Sequence, residues 1–180
     1  MVAPAMGAPV DVYIAVGSNI EPQANILKGL ELLEQSGLPV AASSTFYCTQ
    51  PIDRPEQPHY RNGVWRVRSD LPVRRLQRGV LRRIEAAVGR VRSDDAYAAR
   101  QLDLDVIIYG ETVLYEADFR VPDPDIYTRP FLARALQEVA PGLRLSDTGR
   151  RIDELEILAQ ARGLEPDEAL TRAINDRISG

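Results

Sequence analysis

One cysteine, one histidine and one lysine stand among 180 residues, and each scarcity removes a class of chemistry. A lone Cys48 permits no internal disulfide and no Cys-rich zinc site. A lone His59 excludes poly-histidine metal centres, and any serine-type triad would have to use it. Lys28 is the only lysine among 22 Lys+Arg, which leaves 21 arginines. No G-x-x-x-x-G-K-[ST] run precedes it, so the phosphate-binding lysine of a P-loop is absent, and Schiff-base chemistry would depend on this one residue. No apolar run approaches the twenty or so residues a bilayer requires, so no membrane partner is expected.

What is plentiful is Asp, Glu and Arg, the residues of hard-cation and phosphate chemistry. A net charge of −4 argues against a general nucleic-acid binder. Any anion site must then be a local arginine cluster in an acidic protein. Hydrophobic residues make up 44% and charged residues 27%, enough for one buried core. Residues 1–10, small and rich in Ala and Pro, read as a loose N-terminal extension without a basic n-region, and 11–180 as a single domain. A cytoplasmic location is expected; a monomer is expected too, with a dimer left open.

Asp11 to Val16 reads as a strand closed by a turn at Gly17-Ser18-Asn19. Ile26, Leu27, Leu30 and Leu33 mark a helix from about Glu21 to Ser36, with Gly37 as its stop. Leu38 to Cys48 suits a second strand and Asn62 to Arg68 a third. Between them Thr49 to Arg61 holds three prolines and forms a long loop, a class usually functional or mobile. Pro72 opens a helix with Val73, Leu76, Val80, Ile84 and Val88 on its apolar face, stopped by Gly89. A second long loop runs from Gly89 to Gln101, a strand from Leu102 to Tyr109, and a helix from near Pro130 to Pro141-Gly142. The last thirty or so residues read as extra helices without chemistry. This order, β-α-β-β-α-β, predicts an α+β fold with a ferredoxin-like core in an α/β/α sandwich.

The sharpest local feature is Leu102-Asp103-Leu104-Asp105. Residues two apart on a strand share a face, so Asp103 and Asp105 stand side by side while Leu102, Leu104, Val106 and Ile108 enter the core. Two adjacent carboxylates raise one another's pKa unless a cation separates them, and Mg²⁺ shared with substrate phosphates resolves the repulsion. A polar strand face paired with arginines is the plainer alternative. Arg90, Arg92, Arg100 and Arg129 surround that strand in sequence and suit a metal-triphosphate site, or a solvated surface. Tyr60 and Asn62 at a strand entrance can stack on a flat heterocycle and bond its edge, with Phe131 as an opposite wall. His59 and Cys48 read as surface and packing residues.

Taken together, YIAVGSN (13–19), FYCTQP (46–51), QPHYRN (57–62), IEAAVGRVR (84–92), RQLDLDVIIYG (100–110), VPDPDIYTRPF (121–131) and EVAP (138–141) resemble the 6-hydroxymethyl-7,8-dihydropterin pyrophosphokinase family of folate biosynthesis, over about residues 12–143. The resemblance implies a transferase that moves the β,γ-pyrophosphate of ATP to the pterin alcohol and releases AMP. It implies that Asp103 and Asp105 hold two Mg²⁺ ions. Arg90, Arg92 and Arg100 would serve catalysis, and together with Glu85, Tyr97, Asp123 and Arg129 would line the nucleotide site. Thr49, Tyr60, Asn62 and Phe131 would form the pterin slot, Tyr60 and Phe131 sandwiching the ring. Three departures stand out: Tyr97-Ala98 where the family usually has Trp-Gly, Gln50 where Pro is frequent, and Asp123 where a histidine is frequent. A carboxylate at 123 repels a triphosphate. A family member that binds pterin or nucleotide with impaired catalysis is the alternative reading, and a different Mg²⁺-dependent kinase or nucleotidyltransferase a third.

Overall fold

The computed structural model describes residues 7–91, 93–95 and 98–180. The chain runs through β1 (Val10–Ser18), α1 (Pro22–Gln35), β2 (Ala42–Ser43), β3 (Tyr47–Thr49) and β4 (Tyr60–Ser69). A π-helical segment (Arg75–Leu81) then continues into α2 (Arg82–Val88), followed by β5 (Asp103–Tyr109), β6 (Leu114–Tyr115), β7 (Arg120–Val121) and α3 (Pro130–Val139). Tight 3₁₀ turns at Pro124–Tyr127, Ile152–Glu154 and Glu156–Gly163 accompany the last elements, β8 (Glu165–Pro166) and α4 (Glu168–Ser179).

Strand β1 is an interior strand of the sheet, and its side chains are buried on both faces: Val12, Ile14 and Val16 on one, Tyr13 on the other. It pairs antiparallel with β4 on one side and β5 on the other, in the order β5-β1-β4-β3-β8, with β2 also on β4. Helices and an antiparallel sheet thus make an α+β fold. One core cluster joins Val12, Ile14, Val16, Trp65 and Leu104 to α1, α2 and α4 through Leu30, Ile84 and Ile174. The other joins Tyr13, Val64 and Ile107 to α3 and the 3₁₀ turns through Leu132, Leu136 and Ile152.

Four differences from the sequence expectation bear on the site. β1 runs on through Gly17 and Ser18, expected as a turn, because both stay paired with β4. Val10, expected in the loose extension, already pairs with Ser69. The second strand is two pieces, broken where Ser44 turns inward and its hydroxyl accepts the Val64 N–H at 2.9 Å. In β5 the register slips between Tyr13 and Ile14, which pair with Ile108 and Val106. The extra residue, Ile107, turns Ile108 onto the α3 face instead of the α1/α2 face that holds Leu104 and Val106.

The helix expected from Pro72 to Val88 is also changed in kind. Its first part is π-helical, with bonds from i to i+5, so residues five apart share a side. Leu76 and Leu81 enter the core together, and Gln77 and Arg82 both reach β5. Gly89, at φ 106°, closes α2 in a left-handed conformation that suits glycine. The C-terminal residues are not all helical, since β8 adds a strand to the sheet edge.

Candidate active site

Directly paired strand residues share a face, so the register places the site side chains in rows. Asp103 pairs with Gly17, Gly17 with Asn62, and Asn62 with Tyr47. In the adjoining row Asp105 pairs with Ala15 and Ala15 with Val64. Carboxylates therefore stand at one end of the row and the Asn62 amide nearer the other, with a floor of small residues between them. That floor belongs to a cavity of about 760 Å³. Thr49, Tyr60, Asn62, Arg100, Asp103, Asp105, Asp123, Arg129 and Phe131 are all among the residues that line it. A second cavity of about 540 Å³, lined by Gln77, Arg82 and Arg120, shares Asp105 and Asp123 with the first.

Each carboxylate is matched by guanidinium. Arg90 and Arg100 both bond Asp103. Arg82 bonds Asp105 at 2.9 Å, and Gln77 Nε2 donates to the same oxygen at 3.0 Å. Burial alone would push the Asp103 carboxyl up, but Arg100 and Arg90 outweigh it and hold it below the usual range. Asp105 moves the other way, raised by burial and by the charge on Asp103 beside it. Glu85, almost fully buried and raised by that burial, sits behind the pair. Its Oε1 accepts from Leu104 N at 2.9 Å and Arg82 at 2.6 Å, and lies 2.9 Å from Arg90, so it fixes two of the arginines.

Asp123 starts a 3₁₀ turn by accepting the Asp125 N–H at 2.8 Å. Burial, and after it the charges of Asp125 and Asp105, push its carboxyl up to about 6. Arg129 pairs with Asp125 at 2.8 Å rather than with the Asp103–Asp105 pair. On the far side the Asn62 amide donates to Thr49 Oγ1 at 2.7 Å, and burial raises the Tyr60 hydroxyl. His59 is exposed, its Nδ1 3.4 Å from Cys48 Sγ. The expectations for Arg92 and Tyr97 lie outside the described residues.

Four residues to which the sequence reading gave no site role belong to the site. Gly17 read as a turn and is floor. Gln77 and Arg82 reach Asp105 only because the π-helical turn aligns them. Asn19, almost fully buried, ties both long loops to the end of β1: its amide donates to Gln57 Oε1 at 3.2 Å and Pro58 O at 3.3 Å, and its Oδ1 accepts the Arg100 N–H at 2.8 Å. The SN dipeptide after an apolar run is the only hint of it in the sequence.

Among the described residues no three His, Cys, Asp or Glu side chains converge into an all-protein metal cage. A pair of oxygen ligands completed by substrate phosphates is the other way Mg²⁺ is held, and Asp103 with Asp105 fits that donor set. No helix among the described residues is long and apolar enough to cross a membrane.

Carboxylates paired with guanidinium groups at the meeting of two cavities suit an enzyme that handles phosphate groups. The chain belongs to the 7,8-dihydro-6-hydroxymethylpterin-pyrophosphokinase family, whose model matches residues 13–141. It is 36% identical over 159 residues to the 2-amino-4-hydroxy-6-hydroxymethyldihydropteridine pyrophosphokinase of Pseudomonas aeruginosa, covering 86% of this chain and 94% of the relative. The enzymes of the same name from Haemophilus influenzae and Synechocystis sp. are 32% and 34% identical. Those matches cover 77% and 79% of this chain, and 87% and 72% of the relatives.

Proposed function

We propose that the chain transfers the β,γ-pyrophosphate of ATP to the hydroxymethyl group of 6-hydroxymethyl-7,8-dihydropterin and releases AMP, a step of folate biosynthesis. The observation that carries this reading is the pair of cavities meeting at Asp105 and Asp123. The larger takes the pterin, with Thr49 and Asn62 at the ring's edge and Tyr60 and Phe131 at its faces. The smaller takes the nucleotide, whose triphosphate then crosses the carboxylate junction. The sheet order β5-β1-β4-β3, with helices in the crossovers, supports the ferredoxin-like arrangement.

Asp103 and Asp105 would hold two Mg²⁺ ions, which when bound neutralise phosphate charge and polarise the transferring group. Arg90 and Arg100, paired with Asp103 in the free protein, exchange carboxylate for phosphate as the nucleotide arrives, since guanidinium bonds both in the same way. Arg92 acts on the phosphates and Tyr97 covers the nucleotide. Glu85 holds Arg82 and Arg90 in place. Arg129 turns from its exposed partner Asp125 to the phosphates. Asp123 repels the triphosphate when ionised and donates a hydrogen bond to it when protonated. With the substrates aligned, the hydroxymethyl oxygen attacks the β-phosphorus and the bond from that phosphorus to the α,β-bridging oxygen breaks. AMP leaves with that oxygen and the hydroxyl proton passes to solvent.

The test is incubation with ATP, Mg²⁺ and the dihydropterin, followed by analysis of the nucleotide product. One AMP per pterin consumed is expected, and ADP or free pyrophosphate would overturn the reading. In Asp103→Ala and Asp105→Ala turnover should fall by about a hundredfold or more while pterin affinity stays within about threefold, because a metal carboxylate contributes mainly in the transition state. Near-normal turnover in either variant would remove the metal assignment.

A further inference from the structure

The family match ends at residue 141, but the wall of the larger cavity does not. Gln160, Leu164 and Glu165 also line it. This segment is built into the sheet: β8 pairs with β3, setting Glu165 opposite Cys48 and Pro166 opposite Tyr47. Beyond β8, Asp167 N–H donates to Phe46 O at 2.7 Å, and the Phe46 N–H donates to Thr171 Oγ1 at 2.9 Å. Arg61, between Tyr60 and Asn62, bonds Asp167 Oδ2 through Nε at 2.6 Å. Leu164 is half-buried against the α3-side core cluster, to which Phe131 also packs.

Sheet order then gives the segment an orientation relative to the chemistry. β5, with the two carboxylates, and β8 are opposite edges of the path β5-β1-β4-β3-β8, four strand spacings or about 19 Å apart. Given the reaction proposed above, on which this inference rests, the pterin's hydroxymethyl group faces Asp103 and Asp105. Its opposite, amino-pyrimidine edge then faces β3 and β8. We propose that Leu164 is a specificity-determining residue that closes the far end of the pterin cavity. Asp167 is a positioning residue that, through Arg61, steadies the strand carrying Tyr60 and Asn62. The C-terminal segment is thereby part of substrate recognition and sets how much bulk the pterin can carry on its amino edge.

Three variants test this by direct titration of 6-hydroxymethyl-dihydropterin without nucleotide, separate titration of Mg²⁺-ATP, and the AMP assay. Leu164→Trp should weaken pterin binding by about tenfold or more, the usual scale for a misfitted apolar wall, and leave Mg²⁺-ATP binding unchanged. Leu164→Ala should accept an N2-alkylated pterin that the unmodified protein rejects. Asp167→Asn keeps a good helix-capping side chain but loses the charge, so the pterin KM should rise by about threefold to tenfold with kcat unchanged. Pterin binding in Leu164→Trp equal to that of the unmodified protein, or an equal loss of Mg²⁺-ATP binding, overturns the inference while AMP release by the unmodified protein leaves the reaction standing. An unmodified protein that neither binds pterin nor releases AMP overturns the reaction itself.

Discussion

At Gly17 the missing side chain is what matters. A Cβ there would stand 2.6 Å from Asn62 Oδ1, so any other residue would displace the amide that faces Thr49. Asp123 is the other position where one residue sets behaviour. Its carboxyl has a folded-state pKa of about 6 against an ordinary 3.8, so the folded protein holds the proton more tightly than the unfolded chain. The resulting stabilisation is complete below about pH 4 and lost as pH rises through about 6, at about 3 kcal/mol. Asp123→Asn keeps an oxygen for the Asp125 N–H and removes the titration. Its Tm, measured from pH 4 to pH 8, should match the unmodified protein at the acid end and exceed it above pH 6. Parallel curves would show that burial of this carboxylate costs nothing.

Among the elements, the π-helical segment departs most from its sequence pattern and has the most direct effect on the site. An ordinary helix through Val73, Leu76, Val80, Ile84 and Val88 would satisfy the apolar spacing. The observed turn instead buries Gln77, whose Oε1 accepts the Val106 N–H at 2.7 Å while Nε2 donates to Leu104 O and Asp105. Propensity cannot signal this, because the gain comes from β5, nearly thirty residues away in sequence. Gln77→Leu leaves the Val106 N–H buried without a partner, a loss of about 1–3 kcal/mol. The variant's Tm should fall by roughly 3–10 °C, with Asp105 less well oriented and turnover reduced. An unchanged Tm would mean that Gln77 is not part of the sheet's support. β5 itself was legible as a strand with two carboxylates on one face, but its bulge was not, because the slip depends on the register with β1.

For the whole molecule, the consequence is two cavities joined at one charged junction. A ligand that binds the folded chain and not the unfolded one raises Tm. At a hundred times its Kd a ligand adds about 2.7 kcal/mol, roughly 5–10 °C for a chain of this size. Thermal melts with Mg²⁺-ATP, with pterin and with both should show two separate increments, and EDTA should remove most of the ATP increment. A full ATP shift in EDTA would argue against the carboxylates as metal ligands.

The amino-acid sequence by itself determined the chemistry available: carboxylates, guanidinium groups and flat-ring contacts, with almost no cysteine, histidine or lysine. It also determined the strand that carries Asp103 and Asp105, because period-two alternation is written into neighbouring residues. Tertiary structure alone decided that Gly17 is a floor, that Gln77 and Arg82 hold Asp105, that Leu164 lines the larger cavity and that Asp167 bonds Arg61. Each of those facts depends on strand pairing, or on a helix meeting a strand, between segments far apart in the chain, and no local pattern encodes such a meeting.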